Sequence, residues 1–152
     1  MKWFGMEARM ELVQGALRRR RYWDNREQAY QSFKEKPLFK KWPDEILRAY
    51  VESMTAPSEK AGVELTYSPE WEAQIYRTIP VDVWKKAAQL SQPTLVIRGE
   101  NSNTFTAESE KAFRSANPLA SFVVVKNAGH LVPQEQPNEI GRIILSFLGS
   151  VP

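Results

Sequence analysis

The chain holds one histidine, in the stretch Lys126-Asn127-Ala128-Gly129-His130-Leu131-Val132-Pro133-Gln134-Glu135-Gln136-Pro137. It follows an apolar run and precedes an amphipathic segment, which puts the imidazole at a strand's carboxyl end on a turn opened by Gly129 and closed by Pro133. Backbone of that kind is restricted, and it faces the rim where α/β sheets bind ligands, so the ring is placed to move protons near neutral pH. Such a base needs a hydroxyl to act on and an acceptor to orient it. Ser32, Ser53, Ser109 and Ser146 fall in predicted helices, Ser68 reads as an N-cap, and Ser102 lies in the loop after the run Thr94 to Gly99, so the nucleophile for such a base is missing. From Ser91 to Pro152 there is no aspartate.

The elements that must carry this ring divide the chain near Gln89 to Pro93. The first part, 1–90, is helical and highly charged. Residues Glu7 to Tyr22 have helical spacing through Met10, Val13, Ala16 and Leu17, and Asn25 with Gln28 forms a capping box for a helix from Arg26 to Lys34. Pro43, Asp44 and Glu45 open a helix whose stripe is Ile46, Leu47, Tyr50, Val51 and Met54, broken at Pro57 and Gly62. Ser68, Pro69 and Glu70 open another through Trp71, Ile75 and Tyr76, and Pro80 to Leu90 gives one more. Trp3, Trp23, Trp42 and Trp71 precede that last helix, which carries Trp84; they suit either an apolar pocket or the packing that docks small helices.

The second part, 91–152, reads strand, helix, strand, helix: Thr94 to Gly99, Thr106 to Ala116, Ser121 to Val125, and Asn138 to Leu148. Apolar strands joined by a helical crossover predict a right-handed parallel unit buried on both faces. Two parallel strands need further neighbours, and Val63 to Tyr67 is the only other strand-like run.

Composition narrows the function classes. At 152 residues with 42% apolar content the chain is long enough for a core, and no window is apolar enough to span a bilayer, so no membrane association is expected. Met1 to Met10 lacks the features of a signal peptide, which makes a cytoplasmic location the expectation. Zero cysteines and one histidine disfavour a dedicated metal centre, and no cofactor is expected. A net charge of +3 draws attention to Arg18-Arg19-Arg20-Arg21. On a helix four consecutive residues spread around the barrel, so a solvated helix face is favoured over nucleic-acid binding.

Pro93-Thr94-Leu95-Val96-Ile97-Arg98-Gly99-Glu100-Asn101-Ser102-Asn103-Thr104-Phe105, then Asn127-Ala128-Gly129-His130, Pro137 and a closing helix ending Ser146-Phe147-Leu148, resemble the carboxyl-terminal third of an α/β-hydrolase. The part from Glu7 to Leu90, with its Arg-rich start and Pro69-Glu70-Trp71-Glu72-Ala73, resembles the helical lid that such enzymes insert before their last two strands. The resemblance implies an α/β class: a partial α/β-hydrolase fold, a helical lid followed by a two-stranded parallel β-α-β-α unit. It makes His130 the general base of a serine-type hydrolase acting on an ester, amide or related carbonyl compound, with a small-molecule substrate in the complete enzyme.

Departures from the family pattern sharpen the expectation. The nucleophile elbow G-x-S-x-G does not occur in the chain; the family's order places it, with the oxyanion-hole loop, before the lid and so upstream of Met1. The position that relatives fill with an acid reads Asn103 here, with Glu100 as the substitute. An amide can orient an imidazole but stabilises the imidazolium less than a carboxylate does. The leading reading is therefore a carboxyl-terminal hydrolase portion that supplies lid and base without a nucleophile. The alternative is a non-catalytic module that self-associates through the exposed edge of the Thr94 to Arg98 strand.

Overall fold

β-Branched Thr94, Val96 and Ile97 suit extended backbone, and Ser121 to Val125 supplies a second such run. In the computed structural model, which describes residues 6–78 and 80–150, these become β4 (Leu95–Gly99) and β5 (Ser121–Val125). The two strands are neighbours and run parallel, with Val96 opposite Phe122, Arg98 opposite Val124 and Gly99 opposite Val125. Parallel pairing requires a crossover, and α6 (Ala107–Ala116) provides it, capped by the Thr106 hydroxyl, which accepts the Ser109 N–H at 3.3 Å. The chain divides into two compact units at Ile79/Pro80.

In the second unit α5 (Val83–Ala88) precedes β4, while α7 (Val132–Glu135) and α8 (Pro137–Ser150) follow β5. Val125, Ala128, Val132 and Ile140 form the buried centre, with Ile97 and Ile143 packed against it. On the crossover side Phe113 stacks edge-on to Phe122 at 5.6 Å and to Trp84 at 6.5 Å. Buried Asn117 ties α5 down by donating to the Ala87 and Leu90 carbonyls, each at 3.1 Å. The expectation of strands buried on both faces is corrected: Val124 is 39% exposed, because in a sheet of two strands each strand is an edge.

The first unit begins with α1 (Met6–Leu17), which packs on α4 (Pro69–Arg77) through Val13, Ala16 and Ala73. Between them come β1 (Tyr22–Trp23), α2 (Arg26–Lys34), a 3-10 turn Pro37–Phe39, α3 (Asp44–Met54), β2 (Thr55–Pro57) and β3 (Val63–Leu65). The short strands form an antiparallel sheet in the order β1-β3-β2, so the run at Val63 finds partners that the sequence does not announce. Phe33 fills the centre, its ring 5.6 Å from Trp23, 5.2 Å from Phe39 and 5.6 Å from Tyr50. Trp23 and Trp42 are buried in this cluster, so packing is the role the fold gives them. Trp71 is exposed, and Trp3 lies outside the described residues.

Two local expectations change. The first helix stops at Leu17 instead of running to Tyr22: Arg18 still closes its last turn on the Gln14 carbonyl at 3.1 Å, and Arg19 to Arg21 lie in irregular chain that leads into β1. Arg19 donates to the Tyr67 hydroxyl at 2.6 Å and pairs with Glu72 at 3.0 Å, Arg20 donates to the Tyr22 carbonyl at 2.7 Å, and Arg21 pairs with Glu64 at 3.3 Å. A continued helix would have lost both the β1–β3 ladder and these partners. The capping box is also half-formed: Asn25 accepts the Gln28 N–H at 2.9 Å, but the Gln28 side chain accepts from Asp24 N instead of closing on Asn25.

Candidate active site

Parallel strands put their carboxyl ends on one rim, and the loops after β4 and β5 meet there. Gly99 ends β4 where a Cβ would overlap the Gly129 carbonyl oxygen, so only glycine lets the two loops touch main chain to main chain. The contact is stitched by Glu100 N–H to the Val125 carbonyl at 2.9 Å and Asn101 N–H to the Ala128 carbonyl at 2.9 Å. Asn127 takes a left-handed conformation with φ of 59°, which asparagine tolerates better than most residues.

Carboxylates then hold the turn that carries the ring. Glu100 accepts the Asn127 N–H at 2.9 Å, and Glu135 from α7 reaches back to accept the Gly129 N–H at 2.8 Å. Gln136 donates to the Lys126 carbonyl at 2.9 Å. Three side chains thus fix the main chain of residues 126–129, and His130 projects from it, exposed at the rim.

Ser102, not Asn103, meets the imidazole: its Oγ lies 3.3 Å from His130 Nδ1. The same oxygen accepts the Phe105 N–H at 3.2 Å, and the Ser102 N–H donates to the Gly99 carbonyl at 3.1 Å, so the hydroxyl stands on a closed turn. Asn103 is exposed and its Oδ1 accepts from the Thr104 hydroxyl at 3.3 Å. Residue-type reasoning looked for an acid or amide and so passed over Ser102 as a partner for the ring. The available signal was its place, three residues past the strand-ending glycine, on the side of the turn that faces the other loop.

Ser102 and His130 line an open concavity of about 190 Å³ with Val96, Phe105 and Phe113. Arg98 also borders it and is neutralised by Glu110 on α6 at 2.8 Å; the guanidinium holds the Glu110 carboxyl below the usual carboxylate range. A hollow with one imidazole and one hydroxyl on its wall can take a proton from, or give one to, a small molecule seated there. Among the described residues no group of three or more His, Cys, Asp or Glu side chains converges to hold a metal ion.

Comparison with known proteins places this rim in a larger frame. No protein-family model matches the chain. The structure superposes on E-2-(acetamidomethylene)succinate hydrolase with a TM-score of 0.80 at 22% identity, covering 95% of this chain and 53% of that one. It superposes on a peroxisomal α/β-hydrolase of Saccharomyces cerevisiae with a TM-score of 0.72 at 16% identity, covering 94% of this chain and 41% of that one. The chain carries part of an α/β-hydrolase fold.

A curated Bacillus subtilis (strain 168) protein, assigned as a 2-succinyl-6-hydroxy-2,4-cyclohexadiene-1-carboxylate synthase, is 32% identical over 69 residues, which is 45% of this chain and 25% of that protein. The chain therefore spans about half the length of the solved hydrolases and a quarter of the curated relative. In this partial α/β-hydrolase fold the two strands and their rim are present, whereas the 152 residues contain no G-x-S-x-G. No helix among the described residues is long and apolar enough to cross a membrane.

Proposed function

We propose that this chain is the carboxyl-terminal portion of a serine-type α/β hydrolase that acts on an ester, amide or related carbonyl substrate. His130 is its general base, and residues 1–90 form the lid. The observation that carries this reading is the imidazole on the shared rim of two adjacent parallel strands, beside a concavity large enough for a small acyl group. The likeness in fold to E-2-(acetamidomethylene)succinate hydrolase and to a peroxisomal α/β-hydrolase supports a hydrolase. In the working enzyme the ring takes a proton from a serine supplied with the rest of the sheet and returns it to the leaving group. Backbone donors for the oxyanion come with that same sheet.

The purified chain is expected to turn over p-nitrophenyl acetate no faster than its His130→Ala variant. When it replaces the matching carboxyl-terminal half of a solved α/β-hydrolase, His130-dependent turnover appears, and His130→Ala lowers it by about 10⁴-fold or more. Rapid His130-dependent turnover by the chain alone would place the nucleophile within these residues. A folded chimera indifferent to His130→Ala would overturn the assignment of the base.

A second reading, a self-associating module without catalysis, draws on a different surface. Ile144, Leu145 and Leu148 of α8 are exposed, and a groove of about 390 Å³ runs between Leu95, Val123, Ile143 and Phe147 at the open sheet. A second copy laid there would cover apolar surface that a hydrolase covers with its own remaining strands and helices. Concentration-dependent dimerisation of the chain supports this reading, and a monomer at all concentrations removes it.

A further inference from the structure

The geometry points to Ser102 as the positioning residue of His130, a neutral hydroxyl that fixes where the ring sits but leaves its tautomer and charge open. Four side chains near the rim compete for that role, and hydrogen bonding separates them. Glu100 is committed to Asn127 N–H and Glu135 to Gly129 N–H, both on the turn's main chain and neither on the ring. Asn103 bonds to Thr104. Ser102 Oγ alone among the four is recorded at hydrogen-bond distance from the imidazole, 3.3 Å from Nδ1.

Chemistry follows from what a hydroxyl is. With Phe105 N–H donating to it, Ser102 Oγ keeps one proton and one acceptor site. If Oγ–H donates to Nδ1, the ring's proton is on Nε2, and that nitrogen cannot serve as a base. If Nδ1–H donates to Oγ, Nε2 keeps its lone pair and can accept a proton. A carboxylate accepts only, so it would enforce the second arrangement and stabilise the imidazolium besides. Ser102 enforces neither, and the rim holds a correctly seated base that lacks the partner to commit it. Charged groups around the ring do not fill the gap: Arg98 from β4 is paired with Glu110 from α6, while Glu100 in the loop and Glu135 from α7 are spent on backbone amides.

The inference deepens the reading of His130 as a base, yet it is measured without catalysis, so the two fail separately. Side-chain ¹⁵N NMR of His130 in the full chain, titrated with pH, is the experiment; the single histidine makes the signal unambiguous. Ser102→Ala is expected to change the Nδ1 and Nε2 shifts, and Ser102→Thr, which keeps the hydroxyl, to restore them. Ser102→Asp is expected to lock the Nδ1–H tautomer and raise the His130 pKa by about 1 unit or more, with Asn103→Asp giving less than half that shift. Amide spectra that match wild type away from the rim establish that each variant folds. Unchanged ring shifts in Ser102→Ala, or a larger pKa shift from Asn103→Asp than from Ser102→Asp, would overturn the proposal. Inactive hydrolase chimeras alongside the expected NMR result would instead sink the function and leave the geometry standing.

Discussion

The two units bury their apolar residues to different degrees. The three largest fully buried side chains, Phe33, Leu47 and Val13, all belong to the first, where Phe33 is enclosed by Trp23, Phe39 and Tyr50. The second gathers its core from Val125, Ala128, Val132 and Ile140, smaller groups under a sheet of two strands. Both expose some apolar surface, Trp71 and Ile75 on α4 and Leu145 and Leu148 on α8. The lesson is that the helical unit closes around an aromatic centre of its own, whereas the strand unit, which carries the histidine, is built like one side of a larger sheet.

That contrast predicts a graded series. The largest effect falls on the aromatic centre: Phe33→Ala is expected to cost about 3–5 kcal/mol, read from urea unfolding followed by tryptophan fluorescence. A loss below about 1 kcal/mol, within the range of an ordinary surface change, would show that the ring is not the keystone of that unit. The next effect belongs to the strand unit, where Arg98→Met removes the pair between β4 and α6 and is expected to cost about 2 kcal/mol, seen as faster hydrogen exchange in both elements.

The same pair gives the strand unit an acid limit. Arg98 lowers the Glu110 pKa from its ordinary 4.5, so the stabilisation is complete above that value and is lost as pH falls through the lowered pKa. Protection of β4 and α6 amides, taken relative to the intrinsic exchange rate at each pH, should therefore fall below about pH 4.5 in wild type and much less in Arg98→Met. The smallest effect on stability comes from the open face: Leu145→Ser with Leu148→Ser is expected to change unfolding free energy by no more than about 0.5 kcal/mol each. It should nonetheless reduce any self-association seen by size-exclusion chromatography; unaltered association would move the contact elsewhere.

Much of this fold was legible because its signals are local. The runs at Thr94 and Ser121, the helix between them, and the caps at Asn25 and Ser68 each depend on a few neighbouring residues, and they appear where periodicity and cap chemistry put them. The helix end at Leu17 was not legible, because Arg19 and Arg21 are drawn off by Tyr67, Glu72 and Glu64, partners more than 40 residues away. The β1-β3-β2 sheet was hidden for the same reason, since strands of two and three residues leave no alternation to read. At the site, the histidine's place on the rim was foreseen from its flanks. Its contact with Ser102 was not, because it depends on how closely two loops pass, and that is decided by the absence of a side chain at Gly99 against the Ala128 and Gly129 carbonyls.

The approach of Gly99 to the Gly129 carbonyl has a practical meaning for anyone altering this rim. Because the loops are joined through their peptide groups, position 103 can be exchanged for other polar residues while the scaffold beneath stays put, whereas a change at 102 also touches the turn to Phe105. A bulkier residue at 99 would instead prise the loops apart and carry the imidazole away from its neighbour. The main-chain frame is thus separable from the seating of the ring, which Ser102 sets, and substitutions at 102 and 103 would vary that seating against a constant backbone.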